Sequence, residues 1–238
     1  MSFFDFFFYK NYLFFYLKRG LMNNYILEEN GALIQQRFEF INYGHALEIL
    51  TLACKNEWND LLDLFLNLKI SKKDILKAGG NESEIPKKFD DILYPKDWKE
   101  IKISGDLHVN LYQRLNSKSK IFSDEPTKTN IIKGFIDGHN IDFIKGKVAF
   151  DLEWNSKDQT FDRDLLAMRT YFECGIIDVG VIVTRSEELT DIFKELNVNK
   201  KYGASTTHMN KLLYRLDSRR NGGCPILAVG IKKAVIED

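Results

Sequence analysis

The chain has 238 residues, of which 44% are hydrophobic and 29% charged, a balance typical of a soluble globular domain. Lysine plus arginine total 34, as do aspartate plus glutamate, so the net charge does not favour nucleic-acid binding. Any DNA contact must therefore come from local basic patches. The three cysteines are widely spaced and lack zinc-type spacing, which argues against a disulfide framework and favours a cytoplasmic location.

Residues 1–21 differ in composition from the rest, with aromatic residues and leucine concentrated between Phe3 and Leu17. The positive charge follows the apolar run, which is the wrong order for a signal peptide. The run is also too short for a comfortable membrane span, so we expect no membrane association. Two explanations stay open: an extension ahead of a start at Met22, which we favour, or a segment that packs on the core.

The next stretch is predicted to be largely helical. Apolar residues recur at helical spacing from Tyr43 to Leu68, and Ser71 is a suitable N-cap for a short helix through Lys77. A further helical turn or two is predicted from Pro86 to Leu93. We expect these helices to form an N-terminal layer that buries one face of a sheet.

Two further elements are predicted before the middle of the chain. Residues 99–115 alternate apolar and polar side chains around Gly105, which indicates a β-hairpin. Its basic residues either contact phosphates or form a solvated edge. The acids at 124 and 125, followed by Pro126, predict a helix through about Asp137.

The segment from Ile141 to Trp154 predicts a second hairpin, which turns at Lys145–Gly146. Asp151 and Glu153 lie two apart on its second strand and therefore share a face, while the turn brings the first strand, with Asp142, alongside. Carboxylates grouped in this way are hard oxygen ligands suited to Mg²⁺. The alternative is a solvated acidic face.

After the hairpin the order is a polar loop at 155–159, a helix from about Phe161 to Cys174, a buried strand at 176–184, and a helix at 187–196. A second polar loop at 202–207, another helix and a buried strand at 224–231 follow. This order predicts an α/β fold with a central mixed β-sheet flanked by helices.

The segments IDFIKGKVAFDLEWNSKDQTFDRDL, IDVGVIVTRSEEL and PILAVGI resemble the BglII/BstYI family of type II restriction endonucleases, which belongs to the PD-(D/E)xK nuclease superfamily. The resemblance covers about residues 124–231. It implies a restriction-endonuclease-like core within a single endonuclease domain at 22–238.

The resemblance also implies roles for individual residues. Asp142 and Asp151 match the metal-binding acids. Glu153 stands where the family has glutamine and most of the superfamily lysine, so it would add a metal ligand or general base instead of a cation. The base-reading loops are matched by two groups of polar residues: Asn155, Ser156 and Lys157, and Ser205, Thr206 and Thr207.

The activity expected from this resemblance is Mg²⁺-dependent hydrolysis of double-stranded DNA at a short palindrome, centred on GATC. A homodimer and a cognate DNA methyltransferase that protects the host are the implied partners. Two alternatives stay open: a repair or structure-specific nuclease of the same superfamily, and a non-catalytic DNA-binding protein.

Overall fold

The computed structural model describes residues 30–77, 84–118 and 120–238, so the aromatic N-terminal segment lies outside the described residues. The helices are α1 (Gly31–Arg37), α2 (Ala46–Leu52), α3 (Lys55–Asn67), α4 (Lys72–Leu76), α5 (Glu84–Leu93), α6 (Thr160–Glu173), α7 (Leu189–Glu195) and α8 (Met209–Asp217). The strands are β1 (Phe38–Tyr43), β2 (Ile70–Ser71), β3 (Lys99–Lys102), β4 (Gly105–Leu111), β5 (Lys128–Ile136), β6 (Asn140–Lys145), β7 (Val148–Glu153), β8 (Val179–Arg185), β9 (Ile226–Ile231) and β10 (Ile236–Glu237).

A six-stranded mixed sheet in the order β1-β9-β8-β7-β6-β3 forms the centre of the fold. The strands β7, β8 and β9 run parallel, whereas β6 and β1 are antiparallel to their neighbours β7 and β9. Strands β8 and β9 are buried along their whole length. These observations confirm the predicted mixed α/β fold, with helices flanking the sheet.

Alternation along β7 divides its side chains between the two faces of the sheet, as predicted. Val148 and Phe150 belong to the large core cluster formed with the N-terminal helices, and Phe150 packs against Phe89 of α5 with ring centroids 6.0 Å apart. The opposite face carries Asp151 and Glu153 and contacts α6. Helix α6 packs closely on this side, because a Cβ at Gly180 of β8 would meet the Met168 side chain.

The N-terminal helical layer is confirmed. Its short helix α4 begins with a capping box, in which Ser71 and Asp74 bond each other's backbone N–H groups. Strand β1 was not predicted from the sequence; it lies between α1 and α2 and forms one edge of the sheet by pairing with β9.

Two predictions in the middle of the chain are wrong. Strand β4 pairs with β5 in a separate two-stranded sheet, whereas β3 lies in the central sheet, so residues 99–115 do not form a hairpin. Residues 128–136 form β5 and not a helix; the acid–proline signal at 124–126 precedes a segment rich in isoleucine and threonine, which favours a strand.

Residues 102–140 form a small compact unit, and the remaining described residues form the larger one. Much of the small unit's two-stranded sheet is exposed to solvent. The single domain expected at 22–238 stays a prediction. No helix in the described part of the chain is long and apolar enough to cross a membrane.

Candidate active site

Two aspartates occupy the point where β6 and β7 stop pairing. The antiparallel register runs from Lys145–Val148 to Phe143–Phe150, and the next two residues in that register are Asp142 and Asp151. Here the side-chain carboxylates, and not backbone carbonyls, accept the hydrogen bonds. The Asp142 N–H donates to Asp151 Oδ1 at 2.8 Å, and the Leu152 N–H donates to Asp142 Oδ2 at 3.0 Å. The hairpin therefore fixes both aspartates against each other, as the sequence predicted.

Both aspartates bind protons more readily than an ordinary aspartate. Asp142 is an exposed residue of β6, but its carboxylate turns towards β7. There, desolvation and nearby acids raise its pKa to about 6. Burial and the charge of Asp142 raise the pKa of Asp151 well above its usual range. Asp151 Oδ2 is buried without a hydrogen-bond partner. A cation placed here would satisfy this oxygen and relieve the repulsion.

Glu153 lies on the same face of β7, and both of its carboxylate oxygens contact α6. The Thr160 hydroxyl lies 3.0 Å from Oε2, and Arg163 Nη2 lies 3.5 Å from Oε1. Glu153 is nearly buried, at 6% exposure. Both oxygens of Glu153 thus contact protein groups, whereas Asp151 keeps one oxygen, Oδ2, without a hydrogen-bond partner.

The carboxylates of Asp142 and Asp151 suit a Mg²⁺ ion that also binds water and substrate phosphate. Among the described residues, no group of three or more acid, histidine or cysteine side chains has the arrangement of a ready metal site. Mg²⁺, however, is usually held by one or two carboxylates together with water and substrate phosphate. Asp142 and Asp151, with one buried oxygen unsatisfied, suit that arrangement.

The two loops predicted to read DNA lie side by side. The Thr207 N–H donates to the Ser156 carbonyl and the Asp158 N–H to the Ser205 carbonyl, both at 2.9 Å, so that Lys157 and Thr206 form an antiparallel bridge. The sequence places these loops about fifty residues apart and gave no sign of this pairing. The loops therefore form one surface, which we call the paired loops (residues 155–158 and 203–207).

Within the paired loops, the predicted residues differ in exposure. Lys157 and Ser205 are exposed, whereas Asn155, Ser156 and Thr206 are half-buried. Asn155 Oδ1 is buried without a hydrogen-bond partner. Thr207 is fully buried, which suits holding the loop in place rather than contacting a base.

A buried arginine supports the paired loops from below. Arg185, at the end of β8, donates from Nε to the Thr207 carbonyl at 3.0 Å and from Nη2 to the Thr206 hydroxyl at 2.6 Å. Its guanidinium also faces the rings of Phe193 and Tyr202, which stack on each other. Burial lowers the pKa of Arg185 to about 10.

The sequence reasoning missed three residues around this site: Arg163, Asp164 and Arg185. Asp164 had a detectable signal, because it lies three residues after Phe161 and next to Leu165, on the buried stripe of α6 where a carboxylate is out of place. Arg185 is a charged residue that ends an apolar strand, which was a weaker signal.

The mixed sheet, with adjacent acids at one strand end, defines a restriction-endonuclease-like fold. The family model described as restriction endonuclease BglII/BglIII matches residues 38–231, and the chain belongs to this family. It is accordingly a type II restriction endonuclease, a site-specific hydrolase acting on DNA. Enzymes of this class generally use a divalent metal ion. None of the curated proteins compared with the chain matches it.

Proposed function

We propose that the enzyme cleaves double-stranded DNA at a short, GATC-centred palindrome in a Mg²⁺-dependent reaction. Asp142 and Asp151 would bind the metal, and Glu153 would act beside them as a further ligand or as general base. The observation that carries the proposal is the exchange of carboxylate hydrogen bonds between β6 and β7, which leaves one buried oxygen of Asp151 unsatisfied.

The residues of the chain would perform most of the positioning. The backbone N–H groups of Asp142 and Leu152 each hold one carboxylate oxygen, so neither aspartate needs to reorganise when the substrate arrives. Bound Mg²⁺ would supply a more acidic water and stabilise negative charge on the phosphate. Water is the nucleophile, and hydrolysis of the phosphodiester consumes it.

The paired loops would read the DNA sequence. Asn155, Ser156 and Ser205 have short side chains that both donate and accept hydrogen bonds, as reading base edges in the major groove requires. Lys157 is exposed and would contact a phosphate, which contributes affinity without sequence information. Because the two loops are bonded to each other, they would approach the DNA together.

A palindromic target has two-fold symmetry, so each strand presents the same sequence to one subunit. We therefore propose that the enzyme acts as a homodimer in which each subunit cuts one strand. Such an activity in a cell also requires protection of the host's own sites. A cognate DNA methyltransferase is the partner that would provide it.

The test is digestion of a plasmid of known sequence by the purified protein, with and without Mg²⁺, alongside Asp142→Asn. We expect discrete fragments only with Mg²⁺ and only from the wild-type enzyme, while both proteins still bind DNA. Cleavage only of branched or damaged DNA would instead support a repair nuclease. Binding without cleavage in any divalent metal would contradict the proposed activity.

A further inference from the structure

Carboxylates outnumber cations at the acid face of β7. Besides Asp142, Asp151 and Glu153, the face receives Asp164 from α6, which is only 4% exposed and whose Oδ2 has no hydrogen-bond partner. Burial and the charges of Glu153 and Asp151 raise the pKa of Asp164. A DNA phosphate would bring still more negative charge to this face, so its approach requires positive charge.

Arg163 brings positive charge to this acid face. Its Nε and Nη2 donate to Asp164 Oδ1 at 3.1 and 2.9 Å, and Nη2 lies 3.5 Å from Glu153 Oε1. Within the described residues, Nη1 makes no hydrogen bond or ion pair, and the side chain is 57% exposed. One edge of the guanidinium is thus held by buried acids while the other faces outward.

We propose that Arg163 is the phosphate-binding residue of this site, and that its outward Nη1 edge contacts the phosphodiester to be cleaved. The inference rests on the proposed nuclease function and adds a residue to it. A guanidinium suits this task because its donors lie in one plane and can serve an acid and a phosphate at once.

The two neighbouring acids fix the direction of the arginine. Asp164 lies on the buried face of α6 and cannot move far, and Glu153 is held in place because Thr160 also contacts it. An arginine held in this way loses less conformational freedom when it binds phosphate than a free surface arginine. In this arrangement Asp164 is a positioning residue, since it acts through Arg163.

The test compares Arg163→Gln and Arg163→Lys with Arg169→Gln. Arg169 is a matched control: it lies on the same helix, is 47% exposed and pairs with Glu173 at 2.7 Å, away from the acids named above. Glutamine keeps a hydrogen-bond donor for Asp164 while removing the charge. Thermal unfolding of each variant verifies that it is folded.

Two quantities are measured on cognate duplex DNA. The first is the single-turnover cleavage rate at saturating enzyme and Mg²⁺, which we expect Arg163→Gln to lower about 10²–10³-fold, as for loss of a donor to a reacting oxyanion. The second is the slope of the logarithm of the binding constant against the logarithm of salt concentration, measured without divalent metal. In Arg163→Gln this slope should become shallower by the contribution of about one phosphate contact. Lysine should restore the slope and part of the rate, and the Arg169 variant should match the wild type in both.

A rate within about threefold of the wild type for Arg163→Gln would overturn the proposal. A slower rate with an unchanged salt slope would overturn it too, because Arg163 would then act only on Glu153 and Asp164. Absence of cleavage by the wild-type enzyme would refute the proposed function instead, and the salt slope would still report whether Arg163 contacts phosphate.

Discussion

Removing the charge of Asp142 should stabilise the metal-free enzyme while abolishing cleavage. Asp142 and Asp151 are pressed together by the hydrogen bonds between β6 and β7, and without a cation their charges repel. Asparagine has the same shape, and its amide oxygen can still accept from the Leu152 N–H. The substitution Asp142→Asn therefore removes the repulsion with little change in packing.

The size of the gain follows from the raised pKa of Asp142, which is caused mainly by desolvation of its carboxylate and further by the charges of Glu153 and Glu100. The difference between 3.8 and about 6 corresponds to at most ~3 kcal/mol at about 1.4 kcal/mol per pKa unit. Because Asp142 is on an exposed part of β6, solvent screening reduces the expected gain to about 1 kcal/mol.

The sign of the pH dependence provides a second criterion. An acid whose pKa is raised on folding favours the folded state below its unfolded pKa, and this contribution is lost as pH rises through the folded value. The gain in free energy of unfolding of Asp142→Asn over the wild type should therefore be complete above about pH 6 and should decline as pH falls towards about 4.

The assay is urea unfolding of metal-free wild-type and variant proteins across this pH range. Asp178→Asn serves as the control, because it removes an exposed carboxylate just before β8 and should change stability by less than about 0.5 kcal/mol. Added Mg²⁺ should stabilise the wild type and not Asp142→Asn. Equal stability of the variant and the wild type at every pH would contradict the unfavourable burial of the Asp142 carboxylate beside other acids, on which the proposed metal site rests.

Four further substitutions test the neighbouring residues. Glu153→Gln should remain active with a higher Mg²⁺ requirement, seen by titrating Mg²⁺ in single-turnover cleavage; complete inactivity at saturating Mg²⁺ would indicate a general base that needs its charge. Asn155→Ala should lose about 1–3 kcal/mol of discrimination between the cognate site and near-cognate sites, with little change in the salt dependence of binding. Lys157→Ala should instead weaken binding to all sequences and make its salt dependence shallower. Unchanged discrimination in Asn155→Ala would exclude that residue from reading a base. Arg185→Met should lower the free energy of unfolding by about 1–3 kcal/mol, because the Thr207 carbonyl loses its buried donors, and should relax site discrimination; a variant as stable and as selective as the wild type would contradict the support role.

The parts of the fold that the sequence predicted correctly are those with strong local patterns. Alternation along β7 placed Asp151 and Glu153 on one face, and the apolar runs identified β8 and β9 as buried strands. Both patterns reflect burial by neighbouring layers, which leaves a direct record in the sequence.

The failures concern pairings between distant segments. Residues 128–136 become a strand because β4 pairs with them, and a strong helix-start signal just before them was misleading. The contact between the paired loops likewise joins backbone groups far apart in sequence, so side-chain types at 155–158 could not reveal it. Asp164 was missed because the stripe of α6 was read for its apolar residues alone.

The most direct test of the proposed function is to sequence the DNA ends that the enzyme produces on a large DNA of known sequence, with Mg²⁺ present. All ends should share one palindrome containing GATC, with cuts placed symmetrically on the two strands, as a homodimer would make them. Ends without a common sequence, or cuts on one strand only, would contradict it.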